Sequence, residues 1–138
     1  MLQRISDETQ KLLIDGKRVA ALSGRSFETL NPATGRLLAR VAEADAADID
    51  AAVRSSRSAF EGAWSAMKAS ERGALLLKLA DAIRRSEDEL VELESLDSGK
   101  PVSAIRRQDL PAVLDTLTYY AGMADKINGQ VIPARTDA

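Results

Sequence analysis

At Asp45 the apolar residues of this chain change their repeat, from alternate positions to every third or fourth, which divides it into a strand-forming front and a helix-forming remainder. Neither part can adopt the other's structure without turning its apolar set toward water. In the front part, LLIDGKRV (12–19) places Asp15-Gly16 between two short apolar-bearing runs. Both central residues of a type I′ turn need positive φ, which this dipeptide tolerates, so a β-hairpin is expected. The runs SFETL (26–30) and RLLARV (36–41) flank NPATG, where Pro32 fixes φ, Asn31 can bond within its own turn and Gly35 can supply a left-handed residue. A β-meander of about three or four strands over residues 11–42 is expected. The polar, aperiodic residues 1–10 before it read as a loose arm.

Beyond Asp45, the residues Ile49, Ala52, Val53 and Phe60 fall on one face of a helix over 46–60, with Asp45 as N-cap, Asp48 near the positive end of the dipole and Gly62 as the stop. Ser56 interrupts that stripe. A second helix starting near Ser70 carries Leu76, Leu79, Ala80 and Ile83, and Leu75 and Leu77 widen its apolar face enough to contact neighbours on two sides. Ser86 and Glu89 have capping-box spacing, so a third helix burying Leu90, Leu93 and Leu96 is expected, ended by Gly99 and Pro101. The last helical region spans 102–128, with a break or restart at Pro111 capped by Asp109, a stripe of Val113, Leu117, Tyr120, Ala124 and Ile127, and Gly129 as its stop. The fold class is α+β: a short N-terminal β-hairpin or meander (11–42), then a bundle of about four helices (45–129) and an extended tail (130–138), forming one unit.

A length of 138 residues, 45% of them apolar, suffices for one domain with a real core. Nineteen basic residues nearly cancel 21 acidic ones, so the chain carries no field that would draw nucleic acid or anionic lipid to it. Asp7 and Glu8 interrupt the stretch that a signal peptide would need, no apolar run is long enough to span a membrane, and a cytoplasmic location is expected. The chain has neither Cys nor His. That removes disulfides, thiolate metal sites, thiol nucleophiles and the commonest general base together.

No three of the eight glycines have dinucleotide-fingerprint spacing, and neither Gly16-Lys17 nor Gly99-Lys100 has the spacing of a phosphate loop. These glycines read as turn residues. The acidic clusters Glu43/Asp45/Asp48/Asp50 and Glu87/Asp88/Glu89 sit at helix starts, where the dipole favours negative charge, so capping explains them better than acid–base chemistry. Tyr119-Tyr120 reads as one buried ring and one wet hydroxyl, Trp64 as a packing anchor, and Arg106-Arg107 as a solvated helical face.

Four phrases in order, TLNPATGRLLARV (29–41), ASERGALLLKLADAI (69–83), LESLDSGKP (93–101) and YYAGMADKINGQVIP (119–133), together resemble the opening part of an NAD(P)-dependent aldehyde dehydrogenase. The resemblance covers residues 12–133 and implies an N-terminal β-hairpin with helices that pack against a cofactor domain. In that family a Cys thiolate attacks the aldehyde, a Glu acts as general base, and NAD or NADP accepts hydride. This chain has no such Cys, so the resemblance implies a truncated fragment that is inactive alone, with no catalytic and no cofactor-binding residue of its own. Its implied partner is the remainder of the enzyme. Apolar helix faces left bare by that remainder imply self-association, and a standalone interaction module is the alternative. The resemblance further implies a partial site for a monovalent cation, Na+ or K+, built on the backbone carbonyls of Thr29, Leu30 and Asp97. Lys68 stands where relatives often carry an acidic residue, leaving Ser70 as the expected cap of the second helix.

Overall fold

The computed structural model describes residues 8–129, so the expected tail and most of the expected arm lie outside it. The chain runs through four strands, β1 (Leu12–Ile14), β2 (Lys17–Val19), β3 (Ser26–Leu30) and β4 (Leu37–Ala42), before the helices begin. They form two separate antiparallel hairpins, β1 with β2 and β3 with β4, and not one continuous meander. The first turn is the expected one, with Asp15 at φ 55° and Gly16 at φ 68°, and Ile14 facing Lys17 across it. The chain between the hairpins is turned aside, which keeps β2 from pairing with β3: Gly24 N–H returns to the Ala21 carbonyl and Leu22 N–H is taken by the Asp48 carboxylate. Gln10, placed by its sequence in the arm, instead bonds to β4, donating to Arg40 O and accepting from Ala42 N.

Helix α1 (Ala46–Glu61) starts as its sequence dictates. The Asp45 carboxylate accepts from Ala47 N and Asp48 N, the Asp48 carboxylate accepts from Asp45 N, and Gly62 closes the far end on Ser58 O. One short turn, α2 (Ala63–Ala66), leads to α3 (Ala69–Arg85). Lys68, not Ser70, occupies the cap position of α3. Its ammonium can only donate, so just half of a capping box forms, from Lys68 N–H to the Glu71 carboxylate at 2.8 Å. Helix α4 (Glu87–Ser98) follows after a single residue. The expected Ser86 box fails for that reason: Ser86 N–H already closes α3 on Ala82 O and Ile83 O, and the Ser86 hydroxyl makes no cap bond.

After Gly99 the chain forms α5 (Val102–Ala104), a π-helical turn (Ile105–Asp109) and α6 (Leu110–Met123) without a break. Asp109 is therefore not a cap: its backbone is helical, and its carboxylate pairs with Lys100 Nζ at 2.6 Å. The π turn accommodates Pro111, which lacks the N–H an α-helical register would require. Helix α6 ends at Met123, short of the stop expected at Gly129.

The core sits where α4, the π turn and α6 converge on Val91, Ile105 and Leu110, with Ile83 and Leu114 packed against them. Val91, and not the expected Leu90 and Leu93, is the buried residue of α4; both leucines are exposed. The most extensive helix contact, α3 against α6, is set by small residues. Gly73 lies so close to α6 that a Cβ there would meet the Ala121 carbonyl at 2.6 Å. Leu117 and Ala121 of α6, and Ala124 just past its end, are half-buried, whereas Val113, Tyr120 and Ile127 of the expected stripe are exposed.

Candidate functional site: the junction of β3 with the end of α4

Strand β3 ends beside the C-terminal turn of α4, and that junction brings Thr29, Leu30 and Asp97 into one neighbourhood. Thr29 Oγ1 donates to Asp97 Oδ1 at 2.8 Å across 68 residues of sequence. One turn away, Pro32 packs on Gly99: a Cβ at Gly99 would meet Pro32 Cγ at 2.9 Å. Gly99 also has a φ of 75°, a left-handed helix ending that L side chains adopt only with strain. The NPATG turn forms as its residues require, with Asn31 Oδ1 accepting from Ala33 N and Asn31 O accepting from Gly35 N.

Backbone acceptors are left over at this junction for identifiable reasons. Asn31 N–H donates to Arg36 O, toward β4, so the Leu30 carbonyl of the same trans peptide points away from that strand. At the end of α4, the residue four beyond Asp97 is Pro101, which has no N–H, and Lys100 N–H goes to the Ser98 hydroxyl at 3.2 Å. Neither donor is left for the Asp97 carbonyl. The negative end of the α4 dipole lies at the same place. Ser95 Oγ donates to Lys100 O at 2.8 Å and fixes the chain as it leaves the helix. Sequence reasoning names Thr29, Leu30 and Asp97 through a resemblance; the bracing by Pro32, Gly99 and Ser95 comes from tertiary contacts that no local pattern encodes.

Elsewhere the candidate groups are structural. Arg106 bridges Glu87 and Asp88, each at 2.7 Å, and its guanidinium is held above its usual pKa chiefly by the hydrogen bond to Asp88, then by that to Glu87. It is an anchor between elements and not simply a solvated charge. Asp45 and Asp48 cap α1. Among the described residues no group of three or more acidic side chains could hold a metal. The expected burial of one tyrosine is not found: Tyr119 and Tyr120 meet edge to face at 5.3 Å and both are exposed. Trp64, expected as a packing anchor, is also exposed. The strands form two antiparallel hairpins, with no parallel strand–helix–strand unit among the described residues. No helix among them is long and apolar enough to cross a membrane.

Comparison with known proteins places this architecture. The model of the aldehyde dehydrogenase family matches residues 19–138. The chain is 46% identical over 131 residues to the mitochondrial benzaldehyde dehydrogenase of Antirrhinum majus, covering 94% of this chain and 24% of that protein. It is 47% identical over 129 residues to retinal dehydrogenase 2 of Gallus gallus, covering 92% of this chain and 25% of that protein. The structure of an aldehyde dehydrogenase from Bacillus cereus in complex with NAD+ superposes with a TM-score of 0.93 at 46% identity, over 99% of this chain and 28% of that one. The chain thus spans about a quarter of the length of the relatives it matches. With short antiparallel strands leading into packed helices, as in the N-terminal region of those enzymes, the chain belongs to the aldehyde dehydrogenase family.

Proposed function

We propose that these residues are the N-terminal segment of an NAD(P)-dependent aldehyde dehydrogenase, a structural part of an enzyme that converts RCHO, NAD+ and water into RCOO−, NADH and two protons. The supporting observation is the match to the Bacillus cereus enzyme, which runs over 99% of this chain but only 28% of that one. The nucleophile, the general base and the cofactor cradle belong to the remaining length. These 138 residues contain neither Cys nor His. They act by presenting helices against which that remainder folds. Purified 138-residue chain mixed with propanal and NAD+ is expected to give no rise in NADH absorbance; aldehyde-dependent turnover by this chain alone would overturn the reading.

The junction of β3 and α4 contributes a partial site for Na+ or K+ through the carbonyls of Thr29, Leu30 and Asp97. Carbonyl oxygens suit a hard cation, and the helix C-terminus adds negative potential. The support is the leftover acceptor capacity at Leu30 and Asp97 described above. A second reading, a standalone interaction module, is favoured by one observation: Ile49, Val53 and Phe60 of α1 are 55%, 51% and 68% exposed.

A further inference from the structure

We infer that the side chains of Thr29 and Asp97 are positioning residues. Their hydrogen bond, backed by Pro32 against Gly99, docks the β3–β4 hairpin onto the end of α4. The inference rests, for its consequence only, on the cation reading above. Strands β3 and β4 are bonded extensively to each other but touch α4 sparsely. Thr29 Oγ1 donates to Asp97 Oδ1 at 2.8 Å, and because the acceptor is a carboxylate the bond is stronger than a neutral pair. Thr29 is half-buried and Asp97 exposed, so the bond lies at the surface and relies on the second contact to hold its geometry. The second contact is steric: the absence of a Cβ at Gly99 lets Pro32 approach, and Pro32 cannot swing because its ring fixes the turn. Two contacts of different kind define an orientation as well as a distance.

The carbonyls of Thr29 and Leu30 lie on the hairpin and that of Asp97 lies on the helix. These backbone segments are held in one neighbourhood only while the hairpin is docked. The side-chain bond therefore prearranges a backbone cage, and a cation bound there would in turn hold the hairpin down by mass action. Neither side chain needs to be a ligand for this role.

Hydrogen exchange of the 138-residue chain, resolved by residue, tests the docking, with melting temperatures in KCl, NaCl and choline chloride testing the consequence. Thr29→Val removes the hydroxyl at nearly constant shape, and Asp97→Asn keeps an acceptor oxygen for it. In Thr29→Val the amides of β3 and β4 are expected to exchange roughly fivefold faster while those of the α3–α6 interface keep their rates. Asp97→Asn and Thr29→Ser should stay close to wild type. Unchanged β3–β4 exchange in Thr29→Val overturns the docking role. Faster exchange with a wild-type melting temperature identical in all three salts supports the docking and sinks cation binding by this segment. An alkali-metal stabilisation that survives intact in Thr29→Val overturns the positioning role while leaving the site.

Discussion

Asp48 shows how much one side chain can hold together here. It is 3% exposed, and its carboxylate closes the α1 capping box on Asp45 N–H while accepting Leu22 N–H from the loop between the hairpins. The sequence places it correctly near the positive end of the dipole, but the bond to Leu22 joins residues 26 apart and leaves no local trace. Asp48→Ala orphans two backbone donors at once and is expected to cost about 2 kcal/mol in urea unfolding. Gly73 is the opposite case, where what matters is the missing side chain. Gly73→Ala would press a methyl group on the Ala121 carbonyl, a backbone atom that cannot rotate away, so a loss of about 1–3 kcal/mol is expected by the same measurement. At the surface, the Asp125 carboxyl is held below its usual range, chiefly by the hydrogen bond from Lys126 and then by its charge. A depressed folded pKa contributes stability above the unfolded value, near about pH 4, which is lost as pH falls through the folded one. Lys126→Ala should move the Asp125 titration up toward its usual value in an NMR titration.

The π turn explains why the helical core was only partly legible. Ile105 and Leu110 are five residues apart, which on a regular α-helix puts them about 140° from each other. A search for apolar residues at spacings of three and four passes over that pair and selects Val113, Leu117, Tyr120, Ala124 and Ile127, of which Leu117 and Ala124 are packed. The π turn inserts the extra residue that brings Ile105 and Leu110 together on Val91. By contrast, the Asp45 cap, the Asp15-Gly16 turn and the Gly99 stop are local devices, and the sequence reveals all three. What fixes the π turn can be decided by magnitude. Arg106 makes two exposed ion pairs, which solvent screening leaves weak, whereas Ile105 is 4% exposed. Truncating a buried Ile costs about 2–5 kcal/mol. Ile105→Ala should therefore lower the urea midpoint far more than Arg106→Ala; equal losses would mean that the ion pairs, and not the core, hold the turn.

Across the whole chain, the faces with the cleanest helical periodicity are those left uncovered, because periodicity records which face is apolar and not what covers it. On α1 the stripe runs as expected, Ser56 returning its hydroxyl to Ala52 O so that its polarity does not break the face, yet Ile49, Val53 and Phe60 remain 55%, 51% and 68% exposed. If two copies buried that stripe against each other, six half-exposed side chains would each gain about 1 kcal/mol, half of a full burial. The sum, about 6 kcal/mol, only matches the low end of the roughly 4–15 kcal/mol that association costs. Helix α1 alone thus supports weak pairing. Leu75, Leu77 and Leu79 of α3 and Val113 and Tyr120 of α6 add further apolar surface in other directions, which favours open-ended growth over a closed dimer. Light scattering after size exclusion is expected to show a mass that rises with loading concentration, and Val53→Glu should reduce the slope without abolishing it. A monodisperse monomer that binds no hydrophobic dye would mean that these faces are covered from within the chain, and the interaction-module reading would fall with the self-association.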